Sequence, residues 1–166
     1  MSCSRVLTYS DTHETSATFQ IRIAGPLRQA VEIELHVPAL IPDTYLADVQ
    51  SRLTLYKRIA SASDAAALRE LQVEMIDRFG LLPEPVKNLF EVAALKRMAE
   101  KVGVTILDYG PQGGRIEFAD DTTADPDALI RLMQQSGGKY LMQGPQKLRI
   151  LKQDTEERAR FDEARR

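Results

Sequence analysis

The sequence predicts a single compact α+β domain in which a helical first half packs with antiparallel β-hairpins. Three observations lead to this prediction. Residues 43–102 carry three successive stretches of helical periodicity, residues 104–152 alternate β-type runs with glycine-rich turns, and no flexible linker separates the two parts. With 166 residues, 43% of them hydrophobic, the chain is long enough for one well-buried core and too short for two.

The beginning of the chain divides into a polar leader and two β-type runs. Residues 1–16 are rich in Ser and Thr without a hydrophobic pattern, which is typical of a mobile terminus or an expression leader. Apolar residues alternate over 19–23, and again over 31–37, where charged residues occupy the other face. These runs predict two antiparallel strands with a loop or short helix between them.

The first helix is predicted to follow Pro42, because Asp43 or Thr44 can accept a hydrogen bond from a free amide of its first turn. Helical spacing assigns six residues to its inward face: Tyr45, Leu46, Val49, Leu53, Tyr56 and Ile59.

The second helix is predicted to begin with a cap at Ser63 or Asp64 and to end at Gly80. A third helix should begin in the segment 83–85, where a proline in the first turn loses no needed hydrogen bond, and end at Gly103. The apolar stripe of the second helix comprises Leu68, Leu71, Met75 and Phe79.

The second half predicts the order strand, turn, strand, helix, strand, turn, strand. Runs at 104–107 and 115–119 flank a glycine-rich turn, which lacks the GK[ST] sequence and following helix of a phosphate-binding loop. A short helix should begin at Asp125, and the final hairpin covers residues 139–151.

The last residues mix both charges at helical spacing, with little apolar content apart from Phe161. This pattern predicts a solvated or partner-dependent helix. We therefore divide the chain into a leader (1–30), a domain (31–152) and a charged helical tail (153–166).

Composition excludes several function classes. The chain has 22 Lys and Arg against 24 Asp and Glu, so it lacks the basic excess that drives nonspecific binding to nucleic acid. Cys3 is the single cysteine, which excludes an internal disulfide and a multi-cysteine zinc site. No run approaches the ~18 apolar residues of a membrane span, and the start lacks a signal-peptide core, so we expect a cytoplasmic protein. Neither a catalytic motif nor a cofactor-binding or metal-binding pattern is present, and we predict none of these sites.

An acidic stripe lies opposite the apolar stripe of the second helix and is the candidate functional feature. It consists of Glu70, Glu74 and Asp77, spaced over two turns. Such a stripe can steer and orient a basic partner, although the same spacing is typical of a solvated helix face. A small hydrolase is a further hypothesis, and it would require these carboxylates in a cleft with perturbed pKa values.

A nucleic-acid-binding or RNA-polymerase-binding module is the alternative hypothesis. It would use basic residues of the first helix and the final hairpin: Arg52, Lys57, Arg58, Lys147, Arg149 and Lys152. The balanced net charge of -2 argues against direct DNA binding.

Two motifs carry a family resemblance: RLTLYKRIA at 52–60 and VEMIDRFGLLP at 73–83. With these motifs, residues 31–152 resemble the C-terminal regulatory domain of the bacterial transcription-repair coupling factors (Mfd). The resemblance implies a noncatalytic, autoinhibitory interaction domain of an ATP-dependent DNA-repair translocase whose motor lies outside this chain.

The resemblance also implies partners. The domain would dock on the UvrB-like N-terminal module of the same parent protein and hide the surface that UvrA binds until RNA polymerase is engaged. Glu74 and Asp77 would pair with arginines of that module, and Glu70 joins them by helical spacing alone.

Overall fold

Three helices around a shared apolar cluster form the first half of the domain. The computed structural model describes residues 31–166. The helices are α1 (Val49–Ser61), α2 (Ala65–Phe79) and α3 (Glu84–Val102), and apolar side chains at three- and four-residue spacing turn toward the cluster. The most deeply buried members of this cluster are Ile59, Met75, Val86, Leu89 and Phe90. The three predicted helices are confirmed.

The beginning of α1 was predicted wrongly. The helix begins at Val49, whereas the sequence suggested a cap at Asp43 or Thr44. The Asp48 carboxylate accepts a hydrogen bond from the backbone N–H of Ser51 at 2.7 Å. Asp48 is therefore the residue that caps α1, because it satisfies an amide that has no partner within the first turn.

The later start also changes the inward face of α1. Tyr45 and Leu46 pack against the helical cluster from the preceding turn rather than from the helix. Val49 is 54% exposed, and the fully buried positions of α1 are Leu55 and Ile59. The prediction placed Val49 inside and omitted Leu55.

The boundaries of α2 and α3 agree with the sequence. The Asp64 carboxylate accepts the backbone N–H of Ala67 at 2.9 Å and caps α2. Gly80, with a φ of 89°, ends the helix in a conformation that favours glycine. The third helix begins at Glu84 and ends at Val102, and the following Gly103 caps it in the left-handed conformation.

A five-stranded mixed sheet forms the second half and takes up one strand from the beginning of the described chain. Its strands are β1 (Glu32–Glu34), β2 (Val104–Gly110), β3 (Gly113–Phe118), β4 (Tyr140–Met142) and β5 (Lys147–Ile150), in the spatial order β1-β2-β3-β5-β4. The hairpin pairs β2–β3 and β4–β5 are antiparallel, as predicted, and β3 also pairs antiparallel with β5, which joins the two hairpins in one sheet. By contrast, β1 pairs in parallel with β2.

The predicted partner strand of residues 31–37, at 19–23, lies outside the described residues. Within 31–37, only Glu32–Glu34 is a strand, and His36 has a positive φ of 53° that ends the extended run. The predicted leader, 1–30, is also outside the described residues, so the division of the chain into three segments stays a prediction.

The glycine-rich segment forms the β2–β3 hairpin, as predicted. Gly110 and Gly113 pair across a two-residue turn. A Cβ on Gly114 would lie 2.1 Å from the carbonyl oxygen of Asp108, so a side chain there would collide with the neighbouring strand. The glycines therefore serve strand packing.

One face of the sheet buries a second apolar cluster. Besides α3, this cluster includes residues of α4 (Pro126–Gln135) and α5 (Glu157–Ala164). Tyr109, Leu148 and Phe161 are among its most buried side chains. Within residues 31–166, no helix has the length and apolar content needed to cross a membrane.

The C-terminal helix α5 packs on the body of the domain, so the prediction that it is solvated or depends on a partner is wrong. Phe161 is 1% exposed and Arg160 is 3% exposed. The Arg160 guanidinium donates hydrogen bonds to four backbone carbonyls, those of Leu35, His36, Asp154 and Thr155. A charge that looks solvent-facing in the sequence is therefore buried with its donors satisfied.

Candidate docking face on the second helix

Helix α2 turns the predicted acidic residues away from the core. Leu68, Leu71 and Met75 are buried and fix the orientation of the helix about its axis. The outward side presents a face, which we call the α2 face, consisting of Arg69, Glu70, Val73, Glu74, Asp77 and Arg78. Since all of these residues belong to one helix, the face is open and suits a macromolecular surface better than a small ligand.

Glu74 is held by two arginines of this chain. Arg58 of α1 reaches across to α2 and donates two hydrogen bonds, from Nη1 to Oε1 at 2.8 Å and from Nη2 to Oε2 at 2.6 Å. Arg78, one turn further along α2, donates to Oε1 at 3.0 Å. The hydrogen bonds from Arg58, and then the one from Arg78, lower the pKa of Glu74 to about 2. Its carboxylate is therefore ionised at neutral pH.

The other two predicted residues are in a different state. Glu70 and Asp77 are exposed, and neither side chain forms an ion pair or hydrogen bond with another residue in the range 31–166. The structure thus places the three predicted carboxylates on one face. It brings Glu74 alone into a network and leaves Glu70 and Asp77 available to a partner.

The charge of the face is mixed rather than acidic. Three carboxylates lie beside three guanidinium groups, those of Arg58, Arg69 and Arg78. The Arg78 guanidinium also lies over the Phe79 ring, 5.0 Å from its centre. A complementary surface would therefore need both signs of charge, which restricts the choice of partner more than an acidic patch would.

Exposed apolar side chains accompany these charges. Val73, in the middle of the α2 face, is 58% exposed, and Ile76 is 39% exposed. Just beyond the helix, Leu81 is 86% exposed. Apolar contact surrounded by charged groups is the usual composition of a protein–protein interface.

Sequence reasoning missed several members of this face. The pairing of Arg78 with Glu74 follows from their four-residue spacing and could have been predicted. Val73 shares the helical spacing of the acidic residues, so its place on this face could also have been predicted from the sequence. Arg58 had no such signal for its pairing, because it belongs to a different helix and meets Glu74 through tertiary packing.

The cations of the alternative hypothesis do not form a common surface. Four of the six have partners in this chain: Arg52 with the Leu46 and Ala47 carbonyls, Arg58 with Glu74, Lys147 with Glu117, and Lys152 with Asp154 and Glu163. The remaining two, Lys57 and Arg149, form no ion pair with a described residue but lie on α1 and β5. The arrangement lacks the continuous row of free cations that tracks a phosphate backbone.

The geometry also argues against the hydrolase hypothesis. The carboxylates lie on an open helix face, and the pKa of Glu74 is lowered, whereas a general acid at neutral pH needs a raised one. No group of three His, Cys, Asp or Glu residues positioned to hold a metal ion occurs in the part of the chain that the structure describes.

These features define a small α+β domain whose candidate site is an open helical face. The family model of the TRCF domain matches residues 35–129. The chain belongs to the TRCF domain family of transcription-repair coupling factors. The predicted membership of this family is confirmed.

Two relatives show the extent of the similarity. The chain is 45% identical over 135 residues to the transcription-repair-coupling factor of Haemophilus influenzae, and 42% identical over 134 residues to that of Escherichia coli. Each alignment covers 81% of this chain and 12% of the relative, so the chain spans about an eighth of the length of these proteins.

A solved structure agrees with the fold. It is the crystal structure of the C-terminal domain of a transcription-repair coupling factor, and it matches with a TM-score of 0.61 at 26% sequence identity. The match covers 83% of this chain and 94% of the solved chain. The α+β class and the single compact domain are confirmed.

Proposed function

We propose that this domain is a noncatalytic autoinhibitory module of a cytoplasmic, ATP-dependent translocase of transcription-coupled nucleotide excision repair. It docks through the α2 face onto the UvrB-like N-terminal module of its parent protein and masks the surface that UvrA binds. Engagement of RNA polymerase by the parent then releases it. Membership of the TRCF family supports the setting, because the relatives are transcription-repair-coupling factors.

The state of Asp77 is the observation that carries the proposal. Its carboxylate is exposed and has no partner among the described residues. Val73, four residues earlier on the same helix, is also exposed and offers apolar contact beside it. The opposite side of α2 supplies all of the buried residues of the helix, so packing of the core does not require Asp77. A rigid helix that presents unused charge and apolar area is suited to docking.

The required partner surface can be described chemically. It should carry arginines opposite Asp77 and Glu74, an acceptor opposite Arg69, and an apolar side chain opposite Val73. Each exposed ion pair adds only about 0.2–1 kcal/mol, so several pairs and the apolar contact must act together. An interaction of this strength is reversible, as a regulatory contact has to be.

A double charge reversal tests the proposal. In a protein that joins this domain to the UvrB-like module, Glu74→Arg with Asp77→Arg should weaken docking and increase UvrA binding, because like charges would then face each other. The melting temperature of this domain should fall only modestly, because Asp77 is exposed and Glu74 gives up a partly exposed ion pair with Arg58. Titration with UvrA provides the measurement.

Asp121→Arg with Glu156→Arg is the matched control. It makes the same change in net charge at exposed residues that form no ion pair in the described chain and lie outside α2. UvrA affinity that is equal in the two double variants would refute the assignment of the face. Because coupling between two binding sites is reciprocal, UvrA should weaken docking by the factor by which docking weakens UvrA binding.

A further inference from the structure

Glu74 already has the kind of contact that a partner's arginine would make. Arg58 approaches with both terminal nitrogens, at 2.8 and 2.6 Å, one on each carboxylate oxygen. A carboxylate has about four lone-pair positions, and Arg58 and Arg78 together occupy three of them. A second arginine therefore cannot approach the same edge of the carboxylate while Arg58 remains in place.

The Arg58–Glu74 pair is positioned to exchange. The Arg58 side chain is 43% exposed and that of Glu74 is 33% exposed, so water can solvate both groups once they separate. The guanidinium of Arg58 has no other hydrogen bond to a described residue. The pair can thus open without leaving a buried charge, in contrast to a fully enclosed ion pair.

We propose that Arg58 is a specificity-determining residue of the docking face, acting as an internal competitor for Glu74. Docking then exchanges one arginine for another at Glu74, while Asp77, which has no partner among residues 31–166, forms a new pair. This inference rests on the proposed function, and it assigns the two carboxylates unequal roles. The net contribution of Asp77 to docking is larger, because the gain at Glu74 is reduced by the loss of Arg58.

The competition also selects the chemistry of the partner. An arginine can replace the two-pronged contact of Arg58, whereas the point charge of a lysine replaces only part of it. The residue opposite Glu74 should therefore be an arginine. At Asp77 no described residue competes, so replacing the partner's arginine by lysine should cost less affinity there than at Glu74.

Binding titrations of the 166-residue chain against the matching UvrB-like module test this inference. Arg58→Ala should bind more tightly than wild type, by about two- to fivefold, which corresponds to the loss of one exposed ion pair. Lys57→Ala is the matched control, since it removes the same charge from the neighbouring exposed position, which forms no ion pair with a described residue. Arg58 acts as a competitor only if its removal strengthens docking more than the removal of Lys57.

Two further variants isolate the competition from a loss of net charge. Arg58→Lys keeps the charge but lacks the two-pronged contact, so its affinity should lie between those of wild type and Arg58→Ala. In a Glu74→Gln background, Arg58→Ala should have only the effect of Lys57→Ala, because the contested carboxylate is gone.

The unequal roles of the two carboxylates give a further comparison. Asp77→Asn should weaken docking more than Glu74→Gln does.

The outcomes separate this inference from the proposed function. If docking depends on Asp77 but Arg58→Ala equals Lys57→Ala or binds more weakly than wild type, the competition is overturned and the docking face stands. If the wild-type chain does not bind the module, or Asp77→Asn changes nothing, the proposed function fails and the inference fails with it. Thermal melting of each variant confirms that the titrations compare folded proteins.

Discussion

Two glutamates on two helices show what burial does to an ion pair. Glu74 of α2 binds Arg58 on the surface, and Glu163 of α5 binds Lys152 beneath the C-terminal helix, both at 2.6 Å. The Glu74 side chain is 33% exposed, whereas that of Glu163 is 2% exposed. The pairs have the same length, but water can replace a partner only at Glu74. The first pair is therefore available for exchange, while the second contributes to the architecture.

The surroundings of the two pairs reinforce the difference. Glu163 also accepts a hydrogen bond from the buried hydroxyl of Tyr140, and Lys152 forms a second ion pair with Asp154 at 2.8 Å. Burial, together with a hydrogen bond to Asp154, raises the pKa of Tyr109 in the same network. Because each of these groups obtains its hydrogen bonds or ion pairs from the others, the network fixes α5 in one position. The α2 face has no comparable enclosure.

The largest expected effect follows from removing the buried glutamate. Glu163→Ala should destabilise the domain by about 3 kcal/mol, because it leaves the Lys152 charge and the Tyr140 hydroxyl short of a partner in a largely enclosed site. Asp162→Ala, at a 62% exposed position on the same helix, should change stability by less than about 0.5 kcal/mol. Urea denaturation of both variants measures the difference, and equal midpoints would refute the structural role of Glu163.

Raising the salt concentration should affect the two regions differently, and this effect should be smaller than the destabilisation by Glu163→Ala. The screening length falls from about 10 Å at 0.1 M salt to about 3 Å at 1 M, and it acts mainly on exposed charges. The loss of stability caused by Glu163→Ala should therefore be nearly constant across this range, whereas the affinity of the α2 face for its proposed partner, the UvrB-like module, should fall. Parallel denaturation and binding measurements at the two salt concentrations provide the test. A docking affinity that does not respond to salt would show that apolar contact dominates the interface.

Local signals explain why much of the fold could be predicted. The ends of α2 and α3 are marked by Asp64, Gly80 and Gly103, whose side chains or backbone preferences act within one helical turn. The glycines of the β2–β3 hairpin and the cap of α4 at Asp125 are equally local. The error at α1 arose because several acidic or hydroxyl residues near its start could cap a helix, and propensity does not rank them.

Contacts between distant residues explain what the sequence did not show. Arg160 donates to the carbonyl of Leu35 across 125 positions, and this contact buries a helix that reads as solvated. The parallel pairing of β1 with β2 likewise joins a segment that precedes the three helices in the chain to one that follows them. At the candidate site, helical spacing correctly grouped Glu70, Glu74 and Asp77 on one face. It could not reveal that, of these three carboxylates, Glu74 is the one that binds Arg58 of another helix.

The smallest expected effect is the loss of the Arg58–Glu74 ion pair at acidic pH. Since its partners lower the pKa of Glu74 to about 2, below the usual value of 4.5, the pair stabilises the folded state above about pH 4.5. This stabilisation is lost as the pH falls toward 2, where the folded protein also becomes protonated at Glu74. Wild type should therefore be slightly more stable than Glu74→Gln at pH 7, and the two should converge near pH 2. Asp77→Asn controls for the loss of a surface charge on the same helix. Denaturation of the three proteins from pH 2 to pH 7 makes the comparison. If wild type remains more stable than Glu74→Gln at pH 2, packing of the side chain, and not its exchangeable ion pair, accounts for the difference.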